Sequence, residues 1–497
     1  MTTGGPPTPS GPGGPPWPPP AQPFQPPGDD RPAWLREQLP PMAPVGGPPP
    51  PKRPRWPVLA AVLAVLLLVA GGGAALVSRG DRDPAQPAAG PGSTSAPSTT
   101  TPPTGASAIQ ARIKEIERRV ELARELRFKR PVPSELLPND KLEAKLLAEV
   151  DSETNASDLR SQTRALVLLG EVPAGTDLVK LLRDVQAESV LGFYVPGTGP
   201  DQGKLYVRAD GGLTPFTEWV LSHELTHAVT DQHYDLTRAD RLDDGGLDDE
   251  LVAYTALVEG DATLLMQHYL LTQMDPAAQA AVAREGLAQT TPKLDKAPPV
   301  VRESLGFPYQ TGLSFVQALY QRGGWEAVDK AYADPPTSTE QVLHPEKYLG
   351  TRDAPTPVSV PELSGRLGSG WRAGTDVGWG EFDTQLLLGG EVPTSTARQA
   401  ATGWDGGRLR TFERGGATAM VLRTVWDSPA EASEYCRTAA TWANGRLGQG
   451  AGLADGVGRW SGNGQQATLV CKGARAAWLS APDAGTLARL RAGLGTP

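Results

Sequence analysis

The pattern that most constrains the fold of this chain is a pair of histidines four residues apart, His223 and His227, with Glu224 directly after the first. On a helix, residues i and i+4 lie on one face, so both imidazoles project in the same direction. Glu224 projects about 100° away from His223. Neutral imidazoles are typical ligands of Zn²⁺, and a nearby carboxylate can take a proton from a water that such an ion holds. The pattern therefore predicts a helix that carries a zinc site and its general base.

The surrounding sequence favours this interpretation over a surface helix with two unrelated histidines. The chain has five histidines in 497 residues, and three of them lie between His223 and His233. Segment 216–222, just before the pair, has apolar residues at helical spacing and no helix breaker. Two runs with strand character, 190–195 and 204–208, come earlier and are separated by a turn rich in Pro and Gly. Such a strand edge could bind an extended substrate backbone beside the helix.

A catalytic zinc site needs three protein ligands and one open position, and two residues are candidates for the third ligand. Glu259 lies on a second predicted helix, at about 247–271. His233 lies ten residues after His223, but on a continuous helix its side chain would be rotated about 80° away from that residue. The β-branched Thr230 also disfavours the sharp turn that would bring His233 back. We therefore expect Glu259 rather than His233 to complete the set.

The nine residues from His223 to Asp231 resemble the active-site helix of the thermolysin-like zinc peptidases, which belong to the gluzincin clan. In that clan the third ligand is a glutamate on the next helix, so the resemblance also implies Glu259. Over about residues 110–440 the chain is similar to a poorly characterised family of membrane-anchored bacterial zinc proteases. Three further segments carry that likeness, at 231–236, 256–262 and 338–345. The resemblance implies a zinc metallopeptidase acting on a peptide or protein substrate, an endopeptidase in preference to an exopeptidase, with Glu224 as general base.

One position departs from the pattern of the thermolysin-like enzymes. They carry an aspartate four residues after the glutamate ligand, whereas this chain has Thr263. Metal-bound imidazoles usually donate their second N–H to a carboxylate or a carbonyl. Asp231, four residues after His227, and Asp261 are both candidates for that carboxylate.

A hydrolase of this kind also needs a hydrogen-bond donor for the oxyanion that forms during the reaction. Tyr309 lies at the start of a predicted helix that runs to residue 321 and stops at Gly323 and Gly324. His344 lies on a predicted loop, directly before a proline. Each side chain is a candidate donor, and each also fits a structural role.

The N-terminal part of the sequence predicts a membrane anchor. Residues 1–56 are rich in Pro and Gly and cannot form a core, so we expect a disordered cytoplasmic tail. Residues 57–77 contain no charge and as a helix would span about 30 Å, enough for one transmembrane segment. Basic residues at 52–55 precede it, so the N-terminus is predicted to be cytoplasmic and the rest extracytoplasmic, at the cell membrane. The long tail argues against a cleaved signal peptide. Residues 78–107 read as a Pro/Ser/Thr-rich linker.

The expected fold class is α+β, in two domains behind the single transmembrane helix. We expect a mainly helical, zincin-type metalloprotease domain with a small edge sheet at 108–375. A small C-terminal α+β domain is expected at 376–497. Its predicted strands lie at 408–413, 418–425, 466–471 and 475–480, and its predicted helices at 428–444 and 482–493. Cys436 and Cys471 both fall in it and fit either one disulfide or two buried thiols.

Charge and composition narrow the function classes further. The formal net charge is −9 and no basic cluster lies outside the membrane flank, so nothing indicates a nucleic-acid partner. No pattern indicates an oligomeric state. A non-catalytic surface protein that binds a partner on a gluzincin scaffold is the competing function. The complete set of two histidines, the glutamate between them and a distal glutamate favours the enzyme.

Overall fold

The computed structural model of the chain describes residues 105–153, 156–188, 190–197, 203–244, 248–450 and 452–495. The predicted cytoplasmic tail, the predicted transmembrane helix and nearly all of the predicted linker lie outside the described residues. Among the helices that the structure describes, none is both long and apolar enough to cross a membrane. The described chain has an α+β fold, with one three-stranded and one six-stranded sheet.

The first part, which we call the helical region (residues 105–349), combines helices with three short strands. Its elements in chain order are α1 (Ala106–Arg124), β1 (Ser134–Leu137), α2 (Asn139–Glu153), α3 (Ala156–Leu169), α4 (Leu178–Gln186), β2 (Gly192–Val195), β3 (Lys204–Arg208), α5 (Pro215–Tyr234), α6 (Arg238–Asp244), α7 (Asp248–Gln273), α8 (Pro276–Leu287), α9 (Pro292–Asp295), α10 (Pro299–Ala333), α11 (Thr339–Leu343) and α12 (Pro345–Leu349). The largest hydrophobic cluster of the described chain lies here, between α1, α5, α7 and α10.

The three-stranded sheet has the order β1-β3-β2. Strand β2 pairs antiparallel with β3, with Tyr194 opposite Leu205, and forms one edge. The two strands predicted at 190–195 and 204–208 are thus confirmed. Strand β1 was not predicted, because its four residues are half-buried without alternation and its parallel partner β3 lies about 70 residues away.

Helix α5, which carries the histidine pair, is the central helix of this region. It begins where the side chain of Thr214 accepts a hydrogen bond from the backbone N–H of Thr217 and Pro215 occupies the first turn. It ends at Asp235, which has a left-handed conformation. Its residues from Phe216 to Gln232 are all buried. A helix buried on every side positions its polar residues inside the protein, where they need partners.

Helices α7 and α10 cross with their backbones in contact. A Cβ atom on Gly260 would lie 2.3 Å from the carbonyl oxygen of Gly312, and a Cβ on Gly312 would lie 2.3 Å from that of Ala256. Only glycine fits at both positions. Glu259, the neighbour of Gly260, therefore lies beside the point where the two helices are in closest contact.

The helix predicted to open with the segment from Phe307, with Tyr309 at its start, begins earlier, at Pro299, and contains Pro308. Its predicted stop is confirmed, because Gly323 and Gly324 have non-helical backbone angles there. The helical residues before Phe307 were not predicted, because a proline such as Pro308 usually ends a helix or lies in its first turn.

The second part, which we call the sheet region (residues 364–495), has helices around an antiparallel sheet of order β4-β5-β6-β9-β8-β7. Its elements in chain order are α13 (Ser364–Leu367), β4 (Arg372–Gly378), α14 (Glu381–Gly389), α15 (Thr394–Ala401), β5 (Trp404–Arg414), β6 (Ala417–Trp426), α16 (Pro429–Leu447), β7 (Val457–Gly462), β8 (Gln465–Lys472), β9 (Arg475–Ala481) and α17 (Ala484–Leu494). All four predicted strands and both predicted helices are present. Strands β4 and β7 were missed, because each contains two glycines that weaken a strand pattern.

A disulfide joins Cys436 on α16 to Cys471 on β8, so the two cysteines form a bridge and are not two buried thiols.

Helix α3 belongs to the helical region in sequence but also packs on the sheet region. Its Ser161 donates a hydrogen bond of 2.6 Å to Glu413, and Leu168 accepts one of 3.0 Å from Gln465. The two regions are therefore joined by polar contacts as well as by the chain.

Candidate metal centre

Three predicted site residues project from α5 into the interior. The exposed fractions of His223, Glu224 and His227 are 0%, 0% and 4%. Glu259 reaches the same place from α7 and is 1% exposed. Four ionisable side chains are thus enclosed together, which is costly unless they compensate one another or bind an ion.

The ligand atoms of His223, His227 and Glu259 form a small triangle. The Nε2 atoms of the two histidines lie 3.0 Å apart. Oε2 of Glu259 lies 3.1 Å from Nε2 of His223 and 3.4 Å from Nε2 of His227. These are the three residues that the sequence predicted as ligands, and the structure brings them together from two helices.

The electrostatics of the triangle favour an ionised carboxylate. Burial alone would raise the pKa of Glu259, but the charge of His227 and the hydrogen bond to His223 lower it to about 2. Burial disfavours protonation of both histidines and, together with the charge of His227, lowers the pKa of His223. In His227 burial lowers the pKa, but the charge and hydrogen bond of Glu259, together with the charges of Glu224 and Asp261, outweigh burial and raise it. The triangle therefore combines one anionic oxygen with two imidazole nitrogens.

This triangle fits a tetrahedral zinc ion. With metal–ligand bonds of roughly 2.0–2.1 Å, the ligand atoms of a tetrahedral site lie about 3.3 Å apart. The three observed separations are within a few tenths of an ångström of that value. His233, the competing third ligand, lies elsewhere, with its Nε2 2.8 Å from the carbonyl oxygen of Arg127.

Glu224 faces the edge strand of the small sheet. Its Oε2 accepts a hydrogen bond of 3.0 Å from the backbone N–H of Tyr194 on β2. Its Oε1 is buried and has no hydrogen-bond partner among the described residues. Burial is the main cause that raises the pKa of Glu224 to about 8. One carboxylate oxygen is thus held by the strand, and the other is left for a proton donor such as water.

The two candidate oxyanion donors lie in different places. Tyr309 is 1% exposed, and its ring centroid is 6.2 Å from that of His223. His344 lies between α11 and α12, and its Nε2 is 3.1 Å from Oε1 of Glu381. The structure therefore brings Tyr309 to the histidine pair and pairs His344 with another carboxylate.

Neither Asp231 nor Asp261, the two candidates for the orienting carboxylate, forms a hydrogen bond with a histidine of the triangle. Asp231 accepts hydrogen bonds from the hydroxyl of Tyr194 and the backbone N–H of Leu236. Within the described chain, Nδ1 of His223 and the hydroxyl of Thr263 are both buried without a hydrogen-bond partner. Thr263 occupies the position where thermolysin-like enzymes carry an aspartate, and its hydroxyl has unused hydrogen-bonding capacity.

Sequence reasoning missed the residues that hold Asp261, two positions after Glu259. Arg124, at the end of α1, is fully buried and donates two hydrogen bonds, of 2.8 and 3.1 Å, to the carboxylate of Asp261. The hydroxyl of Tyr332 donates a third, of 2.8 Å. Arg124 lies 137 residues before Asp261, so no local pattern could have indicated the pair.

Comparison with known proteins gives little for this site. The sequence profile of a domain of unknown function (DUF8575) matches residues 371–491, which lie in the sheet region. Neither a curated protein nor a solved structure matches the chain. The matched family thus covers most of the sheet region and none of the residues of the candidate metal centre.

Proposed function

We propose that this chain is a zinc-dependent metallopeptidase, with His223, His227 and Glu259 as zinc ligands. The observation that carries the proposal is the triangle of 3.0, 3.1 and 3.4 Å between two imidazole nitrogens and one carboxylate oxygen. Three protein ligands with a fourth position for water or substrate are typical of catalytic rather than structural zinc. The helical region is proposed as a zincin-type domain, and the sheet region as a separate α+β domain.

The proposed chemistry assigns one task to each remaining side chain. Zinc, when bound, would lower the pKa of a coordinated water and polarise the substrate carbonyl. Glu224 accepts the proton of that water at Oε1 and later returns it to the leaving amine. The hydroxyl of Tyr309 donates a hydrogen bond to the developing oxyanion. His344 stays a weaker candidate for that donor, because it is paired with Glu381.

Strand β2 gives a place for the substrate backbone. It pairs with β3 on one side, and on its other side the N–H of Tyr194 points to Glu224. An extended peptide added to that edge would run beside the general base. We propose a peptide or protein substrate on this basis, cleaved by an endopeptidase that is anchored in the cell membrane by residues 57–77, with its N-terminus in the cytoplasm.

One observation favours a second function, a non-catalytic surface protein that binds a partner. The four side chains of the centre are at most 4% exposed, whereas an enzyme must admit its substrate. Under this alternative the metal would stabilise the crossing of α5 and α7. Hydrolysis of peptides separates the two functions, because a binding protein would hold zinc without cleaving anything.

The decisive variant is Glu224→Gln, which keeps the size of the side chain and removes the proton acceptor. We expect the full-length variant to keep its zinc and its melting temperature while peptide hydrolysis falls by about 10²–10⁴-fold. Glu326→Gln, at an exposed acid paired with Lys330, is the matched control and should behave as the wild type. Hydrolysis by the wild type should stop with a chelator and return with zinc. Undiminished hydrolysis by pure Glu224→Gln protein would refute the role of this residue.

A further inference from the structure

A cavity of about 220 Å³ lies where the helical region meets the sheet region. Its walls come from α3, the start of α7, α10, α14 and strands β4 and β5. Apolar side chains such as Leu166, Leu251 and Val377 form most of them. The volume is below the roughly 300–1,000 Å³ of pockets for cofactors and drug-sized ligands. It suits a single long side chain.

Two carboxylates, Asp248 and Asp383, are the only charged groups among the residues that line this cavity. Oδ2 of Asp248 is buried and has no hydrogen-bond partner in the described chain. Asp383 accepts a hydrogen bond of 2.8 Å from the backbone N–H of Gly380. The arginine whose charge acts on Asp248, Arg408, is itself held by Asp376 at 2.7 Å.

Carboxylates in a mostly apolar, half-buried site are costly to ionise unless a positive charge pairs with them. Burial raises the pKa of both Asp248 and Asp383 to about 6, so both are largely ionised at neutral pH. The charge of Asp248 further raises the pKa of Asp383, and the charge of Asp376 further raises that of Asp248. A positively charged ligand would relieve both penalties.

The shape of the site favours an organic cation over a metal ion. Among the described residues, the groups of three or more potential ligands that could hold a metal ion are His223 with His227 and Glu259, and Glu340 with Asp353 and Asp427. Asp248 and Asp383 belong to neither. The mostly apolar walls and the two carboxylates match the long aliphatic stem and charged end of a Lys or Arg side chain.

The cavity and the candidate metal centre share two helices, α7 and α10. Thr255 lines it and precedes Glu259 by four residues, so both face the same side of α7. Leu305 lines it and precedes Tyr309 by four residues on α10. Asp248 lies eleven residues before Glu259, about 16 Å along the helix. An extended peptide covers that distance in roughly five residues, and in fewer if a long side chain spans part of it.

We propose that this cavity is a specificity pocket for a Lys or Arg side chain of the peptide substrate, within four residues of the cleaved bond, with Asp248 and Asp383 as its counter-charges. The proposal rests on the proposed peptidase function and names its substrate class.

The test uses the full-length, zinc-loaded protein and fluorogenic peptides of one neutral sequence. Each peptide carries a single Lys, Arg or norleucine at one of the four positions on either side of the cleaved bond. Norleucine matches the length of lysine and lacks its charge. We expect kcat/KM for Lys or Arg to exceed that for norleucine by roughly ten- to a hundredfold at one position, as for a charge-assisted hydrogen bond. Absence of a preference above threefold at every position would overturn the proposal.

Variants then locate the preference in the cavity. The ratio of Lys to norleucine, measured within each variant, should fall towards one in Asp248→Asn and Asp383→Asn. Val252→Phe, which fills the cavity without removing an acid, should lower it too, and covers the case in which an Asn variant fails to fold. Glu326→Gln should keep the wild-type ratio. An undiminished ratio in Asp248→Asn, Asp383→Asn and Val252→Phe would place the preference elsewhere and overturn the proposal.

The pocket can also be tested if the protein turns out not to cleave peptides. If no peptide is cleaved, binding of the same labelled peptides to the Glu224→Gln protein decides the proposal. Tighter binding of the Lys or Arg peptide, lost in Asp248→Asn, supports the pocket on a protein that does not cleave. Equal affinity for the Lys, Arg and norleucine peptides overturns it.

Discussion

Three glutamates with buried carboxyl oxygens show how neighbours determine the chemistry of one residue type in this protein. Glu259 lies beside two histidines, and its pKa falls to about 2. Glu224 and Glu171 have no such partner in contact, and burial raises the pKa of each to about 8. The sequence identified Glu224 and Glu259 by their spacing from the histidines. It could not identify Glu171, because nothing in its local sequence indicates burial.

The raised pKa of Glu171 predicts that the stability of the protein depends on pH. Burial, with a contribution from the charge of Asp383, raises its pKa from 4.5 to about 8 in the folded protein. A carboxyl with a raised pKa favours the folded state fully below pH 4.5, and this contribution is lost as the pH rises towards 8. Glu171→Gln removes the penalty of charging. We therefore expect the melting temperature of the variant, relative to wild type, to increase between pH 5 and pH 8.

Thermal unfolding of both proteins at pH 5, 6, 7 and 8 measures this difference. Glu326→Gln, at an exposed position, should show no such trend. A difference between Glu171→Gln and wild type that is constant over this range would mean that Glu171 is not enclosed as described.

At the level of elements, the sequence predicted the two helices that carry the ligand triangle and the two strands before them, but not how these elements meet. The helices around His223 and Glu259 were predicted from apolar spacing and charge at their first turns, and they lie close to the predicted positions. The contact between α7 and α10 depends on Gly260 and Gly312, which lie 52 positions apart. Glycine at either position is consistent with many local roles. Only the three-dimensional contact reveals that both serve a close approach.

Gly260→Ala tests this contact. Its new methyl group would lie 2.3 Å from the carbonyl oxygen of Gly312, so the helices must separate. We expect a loss of about 1–3 kcal/mol or more in the free energy of unfolding, as for overpacked cores, together with weaker zinc binding. Denaturant unfolding and metal titration provide the two measurements.

Gly365→Ala is the matched control, because a Cβ at that position meets no atom within 4 Å. It should leave both quantities nearly unchanged. A Gly260→Ala protein that is as stable as the control would show that α7 and α10 are farther apart than described.

At the level of the whole molecule, distant parts of the chain surround and support the candidate metal centre. Helix α1 reaches it through Arg124 and Asp261, and it also holds α5, where Glu218 accepts hydrogen bonds from Arg112 and Arg119. The sheet region forms part of the proposed specificity pocket. The sequence predicted the ligand triangle because two of its members share one helix. It could not predict the supporting contacts around the triangle, since they join residues about 100 or more positions apart.

The zinc content of purified full-length protein tests the central claim most directly. We expect about one zinc per chain in the wild type and in His233→Ala, and almost none in His223→Ala and Glu259→Ala, all measured by elemental analysis after exposure to zinc and removal of excess metal. A wild-type protein without zinc, or a Glu259→Ala protein that keeps it while His233→Ala loses it, would contradict the assignment of His223, His227 and Glu259 as the ligands.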